Sequence, residues 1–356
     1  MDSHPIDQRA IRALATDAEI AQGVTVLRAG GVVAFPTETV YGLGADALNA
    51  EAVARVFLTK GRPSTNPLIV HVTGIEMAKS LASSWPIEAE LLARALWPGP
   101  LTIVVPKAAA IPASVTAGGS TVALRQPAHL VAAALLKAFG GPLVGPSANV
   151  SGHVSPTTSA HVRTEFGDRV LVLEGGTCSV GIESTVVEVL GKPPAGLVAE
   201  ELVAGGLVAG GLVARVLRPG AISAEVIARV LGVDLLHVAT GLDPSARAKV
   251  NQAILQSPGM LESHYAPQTR AVLAEPGDAD TRGAAKSNDV IVYLPTDAAA
   301  CARELYALVR DADVRAISNE ASQIVIVLPK PRAELLASAA DPLWRAILDR
   351  LDRASA

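Results

Sequence analysis

GGVVAFPTETVYGLGADA (residues 30–47) and KGRPSTNPLIVHV (residues 60–72) decide how this chain is read. The apolar run Val32–Phe35 ends in a turn rich in hydroxyls. Further on, Lys60, Arg62, Ser64, Thr65 and Asn66 open directly into a second apolar strand that reaches His71. Two buried strands that deliver cations and hydroxyls from their loops are how an α/β sheet builds an anion site. The basic loop contains no carboxylate to neutralise it, so phosphate is the guest its chemistry suits.

Working outward, residues 8–29 carry an amphipathic helical pattern that stops at Gly30-Gly31. Helices are expected over Ile75–Leu81, Pro86–Leu96 and Pro127–Phe139, and strands over Leu101–Val105, Thr121–Leu124, Leu143-Val144, Val170–Leu173 and Ser184–Leu190. This alternation points to an α/β fold with some antiparallel pairing. GLVAE, ELVAG, GLVAG and GLVAR follow one another from Gly196 to Arg215; repeats this short make no solenoid, and a surface insertion or hairpin is expected. Val238–Pro267 reads as a linker. Strands at Ala271–Leu273, Val290–Leu294 and Ile324–Leu328 and helices at Ala298–Val309 and Pro342–Leu351 then suggest a smaller second α/β domain.

With 356 residues, two domains are the default. Half the residues are apolar and 18% are charged, so a large core is available and wholesale disorder is excluded. Aromatics make up only 3%, which leaves Ala, Val and Leu to fill that core. A net charge of −4 argues against broad nucleic-acid binding. Cys178 and Cys301 lie far apart without metal-type spacing, the N-terminal stretch lacks a signal-peptide core, and the longest uncharged run, Leu202–Ala214, is too short to span a bilayer. A soluble, reduced, cytoplasmic protein is the expectation.

Several motifs are set aside. Gly42–Ala47 formally fits GxGxxA, but Pro36–Tyr41 separates it from the strand and no acidic residue follows at the dinucleotide offset. There is no P-loop, Ser147 in GPSAN is no nucleophile elbow, and the seven histidines show no zinc spacing. What remains are Gly/Pro-fixed loops of one character: Lys60 and Arg62; Thr121 and Arg125 at the ends of a strand; Ser147, Asn149, Ser151 and Ser155; Ser184 and Thr185; Arg218 before Pro219-Gly220. Singly, each reads as a solvated charge or a turn residue, and His71 as a core-edge histidine. Their shared placement at strand ends argues for function.

FPTETVYGLG, KGRPSTNPLIVHV, WPGPLT, VALRQPAH, GPSANVSG, GIESTVV and LRPGAIS, in this order, resemble the YrdC-like threonylcarbamoyl-AMP synthases. HYAPQT and the C-terminal region are similar to the two-domain form. The resemblance implies a YrdC-like catalytic domain over 8–235, a twisted mixed sheet with a concave positive face. It implies a linker and active-site lid over 236–268 and a Rossmann-like domain over 269–356. It further implies condensation of L-threonine, bicarbonate and ATP to threonylcarbamoyl-AMP and pyrophosphate, a nucleotidyl transfer that feeds tRNA threonylcarbamoyladenosine modification. The product would pass to the tRNA threonylcarbamoyl transferase machinery, with no membrane and no strong direct tRNA binding.

By motif, Thr37, His71, Arg125 and Ser184 would hold threonine. Lys60, Arg62, Asn66, Thr121, Ser147, Ser155, Arg218 and Tyr265 would hold ATP, with magnesium carried on the triphosphate and no metal-binding side chain assigned. No covalent nucleophile is implied, since attack of an N-carboxylate on the α-phosphorus needs positioning and charge neutralisation. The chain departs from the family between Gly191 and Arg218, where GKPPAGLVAEELVAGGLVAGGLVARV replaces a short turn. Two alternatives remain: a non-catalytic RNA-binding protein on the same sheet, and the carbamoyl-adenylating module of hydrogenase maturation factors. The missing aromatic platform weighs against the first, and the absence of CxxC pairs against the second.

Overall fold

The computed structural model of the chain describes residues 14–190, 202–203, 206–207, 213–240, 265–276, 288–337 and 342–355. Its strands in chain order are β1 (Val33–Phe35), β2 (Gly42–Asp46), β3 (Ile69–His71), β4 (Leu101–Pro106), β5 (Thr121–Arg125), β6 (Leu143–Val144), β7 (Leu171–Val172), β8 (Thr185–Val189), β9 (Leu202–Val203), β10 (Gly206–Leu207), β11 (Ala214–Arg218) and β12 (Val238–Thr240). All but β9 and β10 form one mixed sheet, ordered β12-β11-β8-β4-β5-β3-β6-β2-β1-β7. Its central pairs β3–β5 and β4–β8 are parallel, and β4–β5 and β3–β6 are antiparallel.

Side chains alternate across a strand, so each strand feeds two faces. Val70, Ile103, Leu124, Val187 and Val216 point into the largest apolar cluster. Helices α2 (Ala50–Lys60), α4 (Ile87–Leu96) and α7 (Ala224–Leu231) cover it with Val53 and Val56, Leu92 and Ala93, and Ile227. On the opposite face, α1 (Asp17–Arg28) and α5 (Leu130–Phe139) cover only the end carrying Val33, Phe35 and Leu143. The rest of that face keeps a small apolar floor of Ile69, Val104, Ala123, Val186 and Leu217. Two residues further along β3 and β5, on the same face, stand His71 and Arg125, paired directly across the strands.

Three expectations need correction. The first helix begins at Asp17: Thr16 accepts from the Glu19 amide while Glu19 accepts from the Thr16 amide, a capping box that ends the chain's extended entry. Residues 8–13 lie outside the described residues. GLGAD, left outside the expected strands, is β2; the Phe35 ring lies on Gly42 and Gly44, where a Cβ would stand 3.1 and 2.9 Å from it. The linker expected from residue 236 opens in the 3-10 turn Leu235–His237 and continues into β12, which extends the large sheet by pairing with β11; residues 241–264 are outside the described set.

Of the repeat, β9 and β10 pair with each other and, among the described residues, with no other strand. The C-terminal strands Ala271–Ala274, Val290–Tyr293 and Ile324–Val327 make a separate, fully parallel sheet with Ile324–Val327 central. Helices Ala298–Ser318 and Leu343–Ala354 pack on it, the former running past the expected Val309. Val40, Val154 and Ile182 of the first domain belong to the same apolar cluster as this second domain, so the two share an interior.

Candidate active site

Strand register brings the polar residues together. Ser184 precedes β8, whose parallel pairing with β4 places it beside Thr102, hydroxyl to hydroxyl at 2.8 Å. A bulge in β11 between Val216 and Arg218 puts Leu217 on the apolar floor and also aims Arg218 at the site. The Arg218 guanidinium donates to the Ser184 carbonyl at 2.9 Å and to its hydroxyl at 3.1 Å. Arg125 donates to the Gly99 carbonyl and, at 2.9 Å, to the Thr39 hydroxyl. Its Nη2 stands 2.7 Å from Glu38 Oε1 but out of hydrogen-bond alignment with it.

One cavity is lined by Thr39, Val40, Arg62, Ile69, His71, Arg125, Gly145, Pro146, Ser147, Glu183, Ser184, Arg218 and Tyr265. Seven residues singled out from the sequence therefore share a wall: Arg62, His71, Arg125, Ser147, Ser184, Arg218 and Tyr265. Thr37, Lys60, Asn66, Thr121 and Ser155 stand off it. Thr37 ties its own turn, donating to the Val40 carbonyl and accepting from the Thr39 and Val40 amides. Lys60 is buried and donates to the carbonyls of Ser147 and Asn149, fixing the GPSAN loop from behind. Asn66 is fully buried with neither end of its amide hydrogen-bonded. Thr121 sits at the far end of β5 from Arg125. Ser155 donates to Glu183 at 2.7 Å.

Sequence reasoning passed over Glu38, Thr39 and Glu183. The first two lie inside PTETVYG, where a second hydroxyl two residues after Thr37 was the available signal. Glu183 stands in GIESTVV beside Ser184, but no local pattern pointed to its partners Tyr306 and Arg350, which come from the second domain.

Three guanidiniums and one carboxylate thus face a small space, and burial sets their charge. Burial and the neighbouring Arg125 push the His71 imidazole down to about 3, so it is neutral near pH 7. Its Nδ1 is buried without a hydrogen bond, against Gly145, where a Cβ would come within 2.6 Å of it. Phe35 backs the ring edge-on at 5.5 Å. Burial also lowers Arg62, to about 10, and lowers Lys60 well below the usual lysine range, with Arg62 adding to the latter. Burial alone would raise Glu183, but Arg350 and Arg218 outweigh it and hold the carboxyl at about 2. Tyr265 closes one side at φ +65°, a backbone region costly for a bulky residue and held here by Ala266, whose amide donates to the Gly152 carbonyl at 2.9 Å.

The arrangement suits an anion with several charged oxygens together with a small polar group at the neutral imidazole. Among the described residues, no group of three or more His, Cys, Asp or Glu is placed to hold a metal ion, and no helix is long and apolar enough to cross a membrane.

Comparison with known proteins agrees in both halves. Residues 25–197 match the Sua5/YciO/YrdC family model, described as "Telomere recombination", and residues 222–356 match the "Threonylcarbamoyl-AMP synthase, C-terminal domain" model. Threonylcarbamoyl-AMP synthase of Pyrococcus abyssi is 41% identical over 250 residues, 70% of this chain and 66% of that protein. The Bacillus subtilis protein of the same name is 40% identical over 261 residues, 73% of this chain and 67% of its own length. The aligned part therefore spans about two thirds of these relatives. A solved structure of P. abyssi Sua5 complexed with L-threonine superposes with a TM-score of 0.75 at 32% identity, covering 94% of both chains. With a family model over each half and this similarity along nearly its whole length, the chain belongs to the threonylcarbamoyl-AMP synthase family.

Proposed function

We propose that the chain is a working threonylcarbamoyl-AMP synthase, a nucleotidyltransferase that joins L-threonine, bicarbonate and ATP and releases pyrophosphate. The observation that carries this reading is the convergence of Arg62, Arg125 and Arg218 with neutral His71 and Ser184 on one cavity under Tyr265. Neutral threonine amine and bicarbonate give an N-carboxylate and water. The N-carboxylate oxygen then bonds to the α-phosphorus as the bond to the pyrophosphate oxygen breaks. Apart from water every species here is anionic, so guanidiniums that neutralise without competing as nucleophiles are the groups required.

Arg125 is suited to the threonine carboxylate. Gly99 and Thr39 accept two of its donors and Glu38 stands 2.7 Å from its Nη2, so the guanidinium is fixed in place where it lines the cavity and would meet the substrate's carboxylate. His71, uncharged, and Ser184 would take the amino acid's polar groups. Arg62, Ser147 and Arg218 would hold the phosphates and Tyr265 would cover them, with the unpaired Asn66 amide awaiting a partner beside Arg62. Lys60, Thr37 and Ser155 act by fixing loops. Thr121 stays assigned to the nucleotide on motif alone. Magnesium would enter as part of the nucleotide substrate, which fits a site whose protein groups are mostly cations.

Tyr265 and the second domain would also exclude the water that would hydrolyse a mixed anhydride. On this reading the product would pass to a tRNA-modifying partner in the cytoplasm. Mass spectrometry of the product formed from ATP, bicarbonate and threonine, with serine as the control, tests the reading. A threonine-dependent threonylcarbamoyl-AMP peak is expected, and pyrophosphate release independent of threonine would refute it.

A further inference from the structure

Tyr265 lines the cavity with its backbone at φ +65°, a conformation that a bulky residue keeps only where its surroundings over-determine it. Restraints on its segment meet along one face of the helix Ala298–Ser318. Tyr306, Arg310 and Asp313, spaced by four and three residues, share that face. The Tyr306 ring stacks on Tyr265 at 5.8 Å, and Asp313 accepts from the Gln268 and Thr269 amides, both at 2.8 Å. Arg310 acts at one remove, donating to the Val154 carbonyl and, at 2.9 Å, to Glu165.

Glu165, in the helix Ser159–Phe166, has a side chain only 8% exposed. Its Oε1 takes Arg310, while its Oε2 accepts from the Val150 amide and lies 3.1 Å from His153 Nδ1. One carboxylate thus holds the start of the 150–155 loop directly and its far end through Arg310. Between these ties, the Gly152 carbonyl accepts from the Ala266 amide at 2.9 Å, and His153 forms a bridge with Ala266. A shift of the loop is passed straight to the neighbour of Tyr265.

An enclosed ion pair contributes little stability over an apolar replacement, so its place across the domain boundary calls for another explanation. We infer that Glu165 is a positioning residue for the nucleotide site: by joining the 150–155 loop to Arg310 of the second domain, it fixes the carbonyl on which Ala266 rests and so the place of the Tyr265 ring over the cavity. Without that tie the loop loosens, the Tyr265 backbone relaxes toward an ordinary extended conformation, and the nucleotide loses its cover.

The inference rests on the synthase reading, and a binding measurement keeps the two apart. Glu165→Gln keeps the volume of the side chain but turns one acceptor into a donor. In the full chain with magnesium and threonine present, it is expected to weaken ATP binding by about five-fold in titration calorimetry. If Glu165 acts through Tyr265, the same change in a Tyr265→Ala chain adds nothing, whereas a merely structural role weakens both alike. Arg310→Lys keeps the charge but lacks the fork that spans Glu165 and the Val154 carbonyl. It is expected to weaken ATP binding by about two-fold, and it takes the place of Glu165→Gln if that variant does not fold. Unchanged affinity in the variant used, an equal loss in the Tyr265→Ala background, or a Tyr265→Ala chain that binds ATP as tightly as the wild type overturns the inference. A wild-type chain that binds ATP yet makes no threonylcarbamoyl-AMP overturns the synthase reading instead, and one that binds no ATP overturns both.

Discussion

At the scale of single residues, the site is built from groups whose usual charge is set by what surrounds them. His71 is held neutral by burial beside Arg125, and Arg125 is held in place by Glu38, Thr39 and Gly99. Glu38 also accepts from the Ala128 amide at 3.1 Å, so its carboxylate is anchored on one side and offered to Arg125 on the other. On the proposed reading, Glu38→Gln should raise the KM for threonine by about ten-fold, equivalent to about 1.4 kcal/mol. The ATP KM should move much less; equal effects on both substrates would show that Glu38 only supports the fold. The lysine and arginines were legible in the sequence because a basic loop without acidic neighbours is unusual. Their division into wall and scaffold was not, since Lys60 and Arg62 share one loop yet Lys60 points back to the Ser147 and Asn149 carbonyls.

Elements place these residues through register. The parallel pairing of β3 with β5 sets His71 opposite Arg125, and the β11 bulge brings Arg218 onto the same face. β2 escaped a reading based on propensity because its glycines disfavour strands, yet the Phe35 ring requires them. Gly44→Ala should cost about 1–3 kcal/mol through overpacking, and calorimetry would measure it. Because Phe35 backs His71, the same change should also weaken threonine binding. The repeat tells the opposite story. Since, among the described residues, β9 and β10 pair only with each other, deletion of Glu201–Gly210 should leave turnover near the wild-type value, and a steady-state assay that finds inactivation would contradict this.

For the whole molecule, the decisive contact is between domains. Arg310 of the helix Ala298–Ser318 meets Glu165 at 2.9 Å and the Val154 carbonyl, and Glu183 joins Tyr306 and Arg350. The carboxyl of Glu183 is held at about 2, below its ordinary 4.5, so the stability it contributes is present above pH 4.5 and is lost as pH falls toward 2. His71 adds a loss of the same sign between 6.5 and about 3, since it stays neutral in the fold and is protonated once unfolded. Thermal denaturation across this range should show the chain weakening steadily with acid, and Glu183→Gln should flatten the part below pH 4.5. The sequence by itself determined most of the apolar strands, the α/β class, the two domains, the family and the stock of anion-binding residues, because period-2 apolar runs and fixed loops are local signals. Only the tertiary structure decided which of those residues share a wall, that residues 238–240 extend the large sheet, and that Glu183 answers to Arg350. Each depends on register or packing between segments up to 167 residues apart, a separation at which no local pattern reports the partner.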